Sequence, residues 1–388
     1  MALFPYEDPL DPRSVDMSEE ELKRVSARFR EQHKAGAFPG GQMVVRRFGK
    51  VVLNEHIGIA RGFRPEEGVP PLEVQADTPF PVLSAGKPLA AVAVALLEDR
   101  HVLDVEKPVA GFIPGFGRHG KGDITILDVL THRSGILLPD LSQDYRIWGD
   151  REAVLRSLVD AKPVYKRGTL AYAAYEFGWI LSEVFLQVVG ESLADFVHKE
   201  ISIPLGLPAL RYGLGGRPID CVALNYWLGK DRVIVSGINV AAEFEVRNNS
   251  IEQIDSMNPA VSMVTDAADL AAFYEFLLKG GVTHTGRRLL SQDTLQKYTT
   301  RSVFGFDRSS NFPSVLGRGF MLGTPIVSMY GWGRAGKCFG HAGVFSHLGF
   351  GDGERMLAVA IVTNGNRSFI DFARRFTPLS HGLRRACH

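Results

Sequence analysis

"VLSAGKPLAAVAVALLEDR", residues 82–100, is the stretch on which the reading of the chain turns. It is an apolar, helix-forming run that opens with Ser84 and Lys87 three positions apart and places Pro88 directly after the lysine. Proline lacks the N–H that an interior turn needs, and its ring crowds the preceding turn, so it is tolerated near a helix start. The helix therefore begins close to Ser84. Residues i and i+3 share a helix face, so both side chains can address one pocket. Two readings stay open on these residues alone. Ser84 is an N-cap and Lys87 a solvated charge, or Ser84 is a nucleophile at the positive helix end beside a desolvated lysine whose neutral form accepts its proton.

Upstream, "MSEEELKRVSARFREQHKAG" puts acidic residues first, basic residues later and glycine last, as in a capped helix with a complemented dipole. "GGQMVVRRFGKVVLNEHIGIA" reads as a strand hairpin turning near Gly49 and Lys50. From about residue 84 to 255 helical patterns dominate: "DITILDVLTHRSG", "GDREAVLRSLVDA", and the pair "YEFGWILSEVFLQVVG" and "SLADFVHKEI". "DRVIVSGINVAAEFEVRNNS" reads as strand and irregular connection, and "MVTDAADLAAFYEFLLKGG" as a helix capped by Thr265 or Asp266. "CFGHAGVFSHLGFGDGERMLAVAIVTNGN" reads as two extended apolar segments around a Gly/Asp turn, and the basic end that follows as a solvated helix with a frayed tail. Extended segments near both ends with helices between them imply an α/β (α+β) fold. A mainly antiparallel sheet flanked by helices joins a mainly helical lobe, and the aromatic-rich stretches around Trp148, Trp227 and Trp332 imply an apolar cleft between them. The expected organisation is residues 18–82 and 256–378 for the sheet region, 83–255 for the helical region, and 1–17 as an N-terminal extension.

The charges balance: 44 Lys plus Arg stand against 43 Asp plus Glu, which leaves no basic excess for nucleic acid. The acidic start has neither the basic region nor the apolar core of a secretory signal, and no apolar run reaches the roughly 18 residues of a membrane span. Cys221, Cys338 and Cys387 are odd in number and lack metal spacing, so a reducing cytoplasmic setting is expected. The histidines form no H-E-x-x-H, and no metal or other cofactor is expected. A G-x-x-x-x-G-K spacing occurs at 115–121 and 331–337, yet neither continues with Ser or Thr. No G-x-S-x-G elbow is present, which argues against the α/β-hydrolase route. His119 and His132 read as loop or helix-end residues.

The run "PFPVLSAGKPLAAVAVALLEDRHVLDVEKPVAGFIPGF", then "ITILDVLTHRSGIL", resembles the serine beta-lactamase and penicillin-binding-protein superfamily. The resemblance is to its class C beta-lactamase-like branch, which includes family VIII-type carboxylesterases, D-stereospecific peptidases and related transacylases. An S-x-x-K motif of that superfamily is matched by Ser84 and Lys87, and the tyrosine of its Y-x-N motif by Tyr172 in "RGTLAYAAYEFGWILSEV". A K-[ST]-G or H-x-G motif is matched by His341, Ala342 and Gly343 in "CFGHAGVFSHLGF". S-x-x-K alone is a weak signal; the ordered trio, with agreement from roughly residue 20 to 370, is a strong one. The departure is Ala174, where the family most often has an asparagine whose amide reaches the lysine and the substrate's amide carbonyl. Its absence matters least for a reactive ester and most for a beta-lactam or peptide.

The resemblance implies covalent acyl transfer. Ser84 attacks a carbonyl, Lys87 and Tyr172 share the proton work, and His341 helps orient an acyl substituent or Tyr172. The N–H groups of Ser84 and Val344 form the implied oxyanion hole, and Gly340 and Gly343 permit close approach of substrate to backbone. Ala174, Gly343, Trp148, Trp227 and Trp332 are candidate pocket residues. The function expected first is a serine carboxylesterase acting on small or medium acyl esters or thioesters. A transacylase of secondary metabolism, passing the acyl group to an alcohol or amine acceptor, is the near alternative. D-amino-acid peptidase or beta-lactamase activity follows, and a non-catalytic binding protein on the same scaffold is the reading outside enzymology. The expected partners are small molecules, with no nucleic acid and no membrane, and no coiled-coil pattern assigns an oligomeric state.

Overall fold

The computed structural model describes residues 4–232, 234–235, 238–239 and 241–388. Its five principal helices are α1 (Glu19–Lys34), α2 (Lys87–Asp99), α3 (Glu176–Val189), α4 (Ala267–Leu278) and α5 (Phe369–Arg385). Ser18 caps α1 by accepting the Glu21 N–H, and Leu22, Val25 and Phe29 line its buried face. The chain then forms β1 (Gly40–Arg47) and β2 (Lys50–Arg61). Phe48 and Gly49 both have positive φ, the backbone that matches a two-residue turn to the twist of its strands.

β1 and β2 belong to a nine-stranded sheet with β3 (Leu72–Glu73), β4 (Val303–Asp307), β5 (Phe312–Leu316), β6 (Met321–Leu322), β7 (Cys338–Gly343), β8 (His347–Asp352) and β9 (Leu357–Thr363). The order is β4-β5-β6-β7-β8-β9-β1-β2-β3, and every pairing is antiparallel. The two ends of the chain meet where β1 pairs with β9, Val44 opposite Ala360. All eight residues of β1 are buried because both sheet faces are covered. Val44 belongs to the core shared with α2 and α4, whereas Met43 and Val45 join the core formed with α1 and α5. Arg46 points the same way as Val44 and meets Glu275 of α4.

Two expectations for the end of the chain are corrected. The segment read as two extended runs supplies three strands of the nine-stranded sheet, because the chain turns between β7 and β8, with Phe345 at φ +57° and the Ser346 N–H closing on Gly343 O at 3.0 Å. Val344 and Phe345 at the centre of that turn are apolar and neither is Gly, Asn or Pro, so the pattern runs on as if extended. The basic end is a docked helix with a pinned tail. Arg375 is held by Asp371 at 2.7 Å and by the carbonyls of Phe345 and Gly365. Arg384 is held by Asp352 at 2.7 Å and by the carbonyls of Tyr330, Gly333 and Arg334. A guanidinium with its donors this fully matched can be buried. The His388 N–H closes the chain on Asp16 O at 3.0 Å.

Between the sheet segments the chain is mainly helical, with Ile126–Leu130, Arg151–Asp160, α3 and Leu193–Val197 around α2. Lys87 to Leu97 of α2 are buried without a break, as the apolar run requires. In the stretch read as strand and irregular connection, Ile234–Val235 pairs with Ile238–Asn239, and residues 233, 236, 237 and 240 lie outside the described residues. Phe244–Asn248 at its end is a helical turn, not strand. The N-terminal residues lie along the sheet region: Phe4 stacks on His284 and the Tyr6 hydroxyl donates to Asp266 at 2.7 Å. Among the described residues no helix is long and apolar enough to cross a membrane.

Candidate active site

The short strand Phe80–Pro81 pairs with Met263–Thr265, and the Val82 N–H continues the ladder to Met263 O at 2.9 Å. Leu83 then takes φ +52°. A bulky residue rarely adopts that left-handed backbone, which costs on the order of 1 kcal/mol. It swings the chain through one 3₁₀ turn, Leu83–Gly86, into α2. Gly86 is needed there because a Cβ would stand 2.5 Å from the Met263 Cβ. Ser84 thus sits in the turn just before α2, at the junction of the sheet region and the helices.

Lys87 is fully buried and its Nζ has three partners: Ser84 Oγ at 3.0 Å, Ala174 O at 2.8 Å and Ala260 O at 3.2 Å. A carbonyl only accepts. A neutral amine has two hydrogens and one lone pair, which matches two carbonyls and one hydroxyl that can donate. Burial pushes Lys87 down to about 7, opposed by the carboxylate of Glu176. That carboxylate, at the start of α3, accepts the N–H groups of Leu138 at 2.5 Å and Tyr175 at 3.3 Å.

Tyr172 lies on the irregular segment before α3, its ring 5.1 Å from Lys87 Nζ and 6.1 Å from the His341 ring. Burial raises its phenol, and a hydrogen bond with Ser84 pulls partly the other way. His341 is buried on β7 and its Nδ1–H donates to Ala342 O at 2.7 Å. Nε2 has no partner among the described residues. Burial, and then the nearby Lys87, push the imidazole down to about 3, so it is neutral.

A Cβ on Gly343 would come within 2.1 Å of Val82 O, and one on Gly340 within 2.2 Å of Gly349 O. Both glycines therefore admit other stretches of this chain's own backbone. The approach at Gly343 brings Val344, first residue of the turn after β7, against the Ser84 turn. A buried polar network fixes this junction. Asn225 Nδ2 donates to Pro81 O at 3.2 Å, and Asn225 Oδ1 accepts from His347 Nε2 at 3.2 Å. Asn366 Nδ2 reaches the same Oδ1 at 3.4 Å, while its Oδ1 accepts the Ser346 hydroxyl at 2.6 Å.

Ser84, Lys87, Tyr172, His341, Gly343, Val344 and Ala174 are thus brought together, and the three tryptophans are not part of that cluster. Trp148 is a core residue whose Nε1–H donates to Leu141 O and whose ring packs tilted against Tyr175 and edge-on against Trp179. Trp227 packs on Phe244, and its backbone pairs with Asn366 at the edge of the network. Trp332 is 46% exposed and lies against His381 of α5, on the outer side of the sheet. Glu176, Asn225, His132 and Asp307 were not foreseen as site residues. Glu176 stands four positions after Tyr172 but reads as an ordinary first-turn acid of a helix; the others carry no local signal. Among the described residues no three metal-ligating side chains converge.

The family model described as Beta-lactamase matches residues 25–379. The chain belongs to the beta-lactamase family. The curated "Esterase/beta-lactamase LipL" of Mycobacterium tuberculosis is 28% identical over 351 residues, covering 84% of this chain and 77% of that protein. "Esterase EstB" of Burkholderia gladioli is 29% identical over 217 residues, covering 51% and 53%. Among solved structures, a penicillin-binding protein homologue from Caulobacter crescentus matches with a TM-score of 0.81 at 25% identity, over 95% of this chain and 98% of that one. A family VIII carboxylesterase matches with a TM-score of 0.80 at 24% identity and the same coverage. Acyl-enzyme chemistry on a serine is the chemistry of this superfamily, within which the fold and the family match place the beta-lactamase-like chain.

Proposed function

We propose that the protein is a serine carboxylesterase that hydrolyses small or medium neutral acyl esters through an acyl-enzyme on Ser84. The observation that carries the choice of substrate is the pairing of a neutral His341 with the bare methyl group of Ala174 beside the Ser84–Lys87 pair. A neutral imidazole offers no fixed cation to hold a substrate carboxylate, and alanine offers no side-chain amide to hold a substrate amide. A neutral ester needs neither. The relatives EstB, an esterase, and LipL, an esterase/beta-lactamase, support the ester reading.

Ser84 Oγ bonds to the ester carbonyl carbon while its proton passes to the lone pair of Lys87. The carbonyl oxygen becomes an oxyanion facing the N–H groups of Ser84 and Val344. Collapse of the intermediate expels the alcohol, which leaves with the proton returned through Lys87 and Tyr172. Water then bonds to the acyl carbon, gives a proton to the same pair, and the acid departs as Ser84 regains its hydrogen. Lys87, poised near neutral pH, is the resting base, and Tyr172, with its raised phenol, is the neutral relay.

The test is a chromogenic acyl ester with the whole protein. A burst near one equivalent per chain is expected, with an acyl adduct on Ser84 by intact mass, and Ser84→Ala abolishes both. Unchanged turnover in that variant sinks the assignment, and transfer to an added alcohol in preference to water replaces hydrolysis by transacylation.

A further inference from the structure

Tyr172 has no helix or strand around it, so something other than secondary structure must hold its ring over Lys87. Three successive amides are captured by two residues remote in sequence. The Ala171 N–H donates to the backbone carbonyl of His132 at 3.0 Å, the Tyr172 N–H to Asp307 Oδ1 at 3.0 Å, and the Ala173 N–H to His132 Nδ1 at 3.1 Å. His132 therefore grips both neighbours of Tyr172, once with its main chain and once with its ring. The same ring packs 4.5 Å from the Tyr172 ring and 5.4 Å from Phe177.

His132 is built for this at some cost. It is 3% exposed and takes φ +54°, a left-handed backbone that few residues other than glycine accept and in which Asn, Asp and His are enriched. An N–H donating to Nδ1 requires a lone pair there, so the imidazole is neutral with its proton on Nε2. Burial and the nearby Lys87 favour that state.

We propose that His132 is a positioning residue for the reaction, holding the Tyr172 segment so that the phenol meets Ser84 and Lys87, with Asp307 as the second anchor. The inference rests on the proton role proposed for Tyr172. It distinguishes the acceptor at Nδ1 from the imidazole as an acid or base. Asparagine accepts the left-handed backbone and carries Oδ1 where histidine carries Nδ1. It should replace His132; alanine and leucine should not.

The experiment measures the rate of covalent labelling of Ser84 by a fluorophosphonate probe, read by intact mass, together with ester kcat and KM and the thermal midpoint. The variants are His132→Ala, His132→Leu and His132→Asn, with Tyr172→Phe as reference. A misplaced catalytic group costs roughly 10- to 100-fold, so the alanine and leucine variants should lose that in labelling and kcat with KM nearly unchanged. The asparagine variant should recover to within about threefold of the wild type, a rescue that generic loss of packing does not produce. An asparagine variant as slow as alanine, or an alanine variant as fast as the wild type, overturns the proposal. If Tyr172→Phe labels at the wild-type rate, the role of Tyr172 fails, and with it anything for His132 to position. A slow Tyr172→Phe beside a fast His132→Ala overturns the positioning role alone. Should His132→Ala not fold, Asp307→Asn against Asp307→Ala poses the same question at the other anchor, where only the acceptor-keeping variant should retain labelling.

Discussion

The backbone carbonyl of Ala174 stands 2.8 Å from Lys87 Nζ, so the main chain contacts the lysine at the position that matches the asparagine of the Y-x-N motif. Lysine orientation is preserved while the amide that would face a substrate is lost. Ala174→Asn should therefore leave the lysine in place and add a donor and acceptor to the cleft. Ester kcat/KM should stay within about threefold, while amide or beta-lactam hydrolysis rises by up to roughly tenfold, the worth of one hydrogen bond. Parallel kcat/KM measurements on an ester and a beta-lactam check this; a collapse of both would mean the residue packs against the lysine too tightly for any side chain.

The pH dependence of acylation should follow Lys87. With its amine near 7, the proton-accepting form is lost as pH falls, so kcat/KM should drop tenfold per pH unit below about 7 and level off above it. His341, pushed down to about 3, should add no limb of its own between pH 5 and 8. A pH–rate profile of the wild type and of His341→Gln reads both statements, and a limb near 6 that vanishes in the glutamine variant would contradict them.

Removing the buried amine should raise stability while abolishing activity. Lys87 is depressed from its ordinary 10.5 to about 7, so below pH 7 it is protonated folded and unfolded alike, and the native state bears the whole cost of burying an ammonium. Between about 7 and 10.5 the folded lysine sheds its proton first, and wild-type stability rises with pH. Lys87→Met should thus be more stable by up to a few kcal/mol near pH 7, with the advantage shrinking toward pH 10. Denaturant unfolding at both pH values checks the sign.

The two tryptophans furthest apart in burial should behave oppositely. Trp148, 2% exposed, fills the core beside Trp179, and its truncation to alanine should cost about 3–5 kcal/mol. Trp332→Ala should change stability by less than about 1 kcal/mol and leave ester turnover untouched. Thermal midpoints and ester assays of both variants separate them.

The buried Asp352–Arg384 pair ties the end of β8 to α5, both side chains being 3% exposed or less. Arg384→Met should cost about 3–5 kcal/mol, because three carbonyls lose their donor and Asp352 keeps only Arg355 as a cationic partner. The double variant with Asp352→Asn should recover part of that loss, which a double-mutant cycle measures.

Much of this arrangement was legible in the chain because its causes are local. Pro88 and the apolar run after it placed the start of α2, the early acids and closing glycine of residues 17–36 placed α1, and Gly49 and Lys50 marked the β1–β2 turn to within one residue. The ordered Ser84, Lys87, Tyr172 and His341 motifs marked a family whose sheet joins the chain ends. Less was legible where the signal is weak or tertiary. Phe345 turns the chain without a turn residue. Arg375 and Arg384 look like surface charges until the carbonyls around them are in place. The aromatic-rich stretches that held Trp148, Trp227 and Trp332 read alike, since burial in a core and exposure beside His381 leave the same letters.

The sequence by itself determined where the Ser84 turn and its helix begin, that Ser84 and Lys87 share a helix face, and that Ala174 lacks an amide; these follow from spacing, φ restriction and side-chain chemistry along a few consecutive residues. Only the tertiary structure decided the state of those groups. Complete burial, opposed by the carboxylate of Glu176, brings the Lys87 amine down to about 7, the approach of Gly343 to Val82 sets Val344 beside Ser84, and His132 with Asp307 holds the backbone around Tyr172. Proton affinity and orientation depend on desolvation and on partners supplied by residues tens to hundreds of positions away, and no local pattern encodes them.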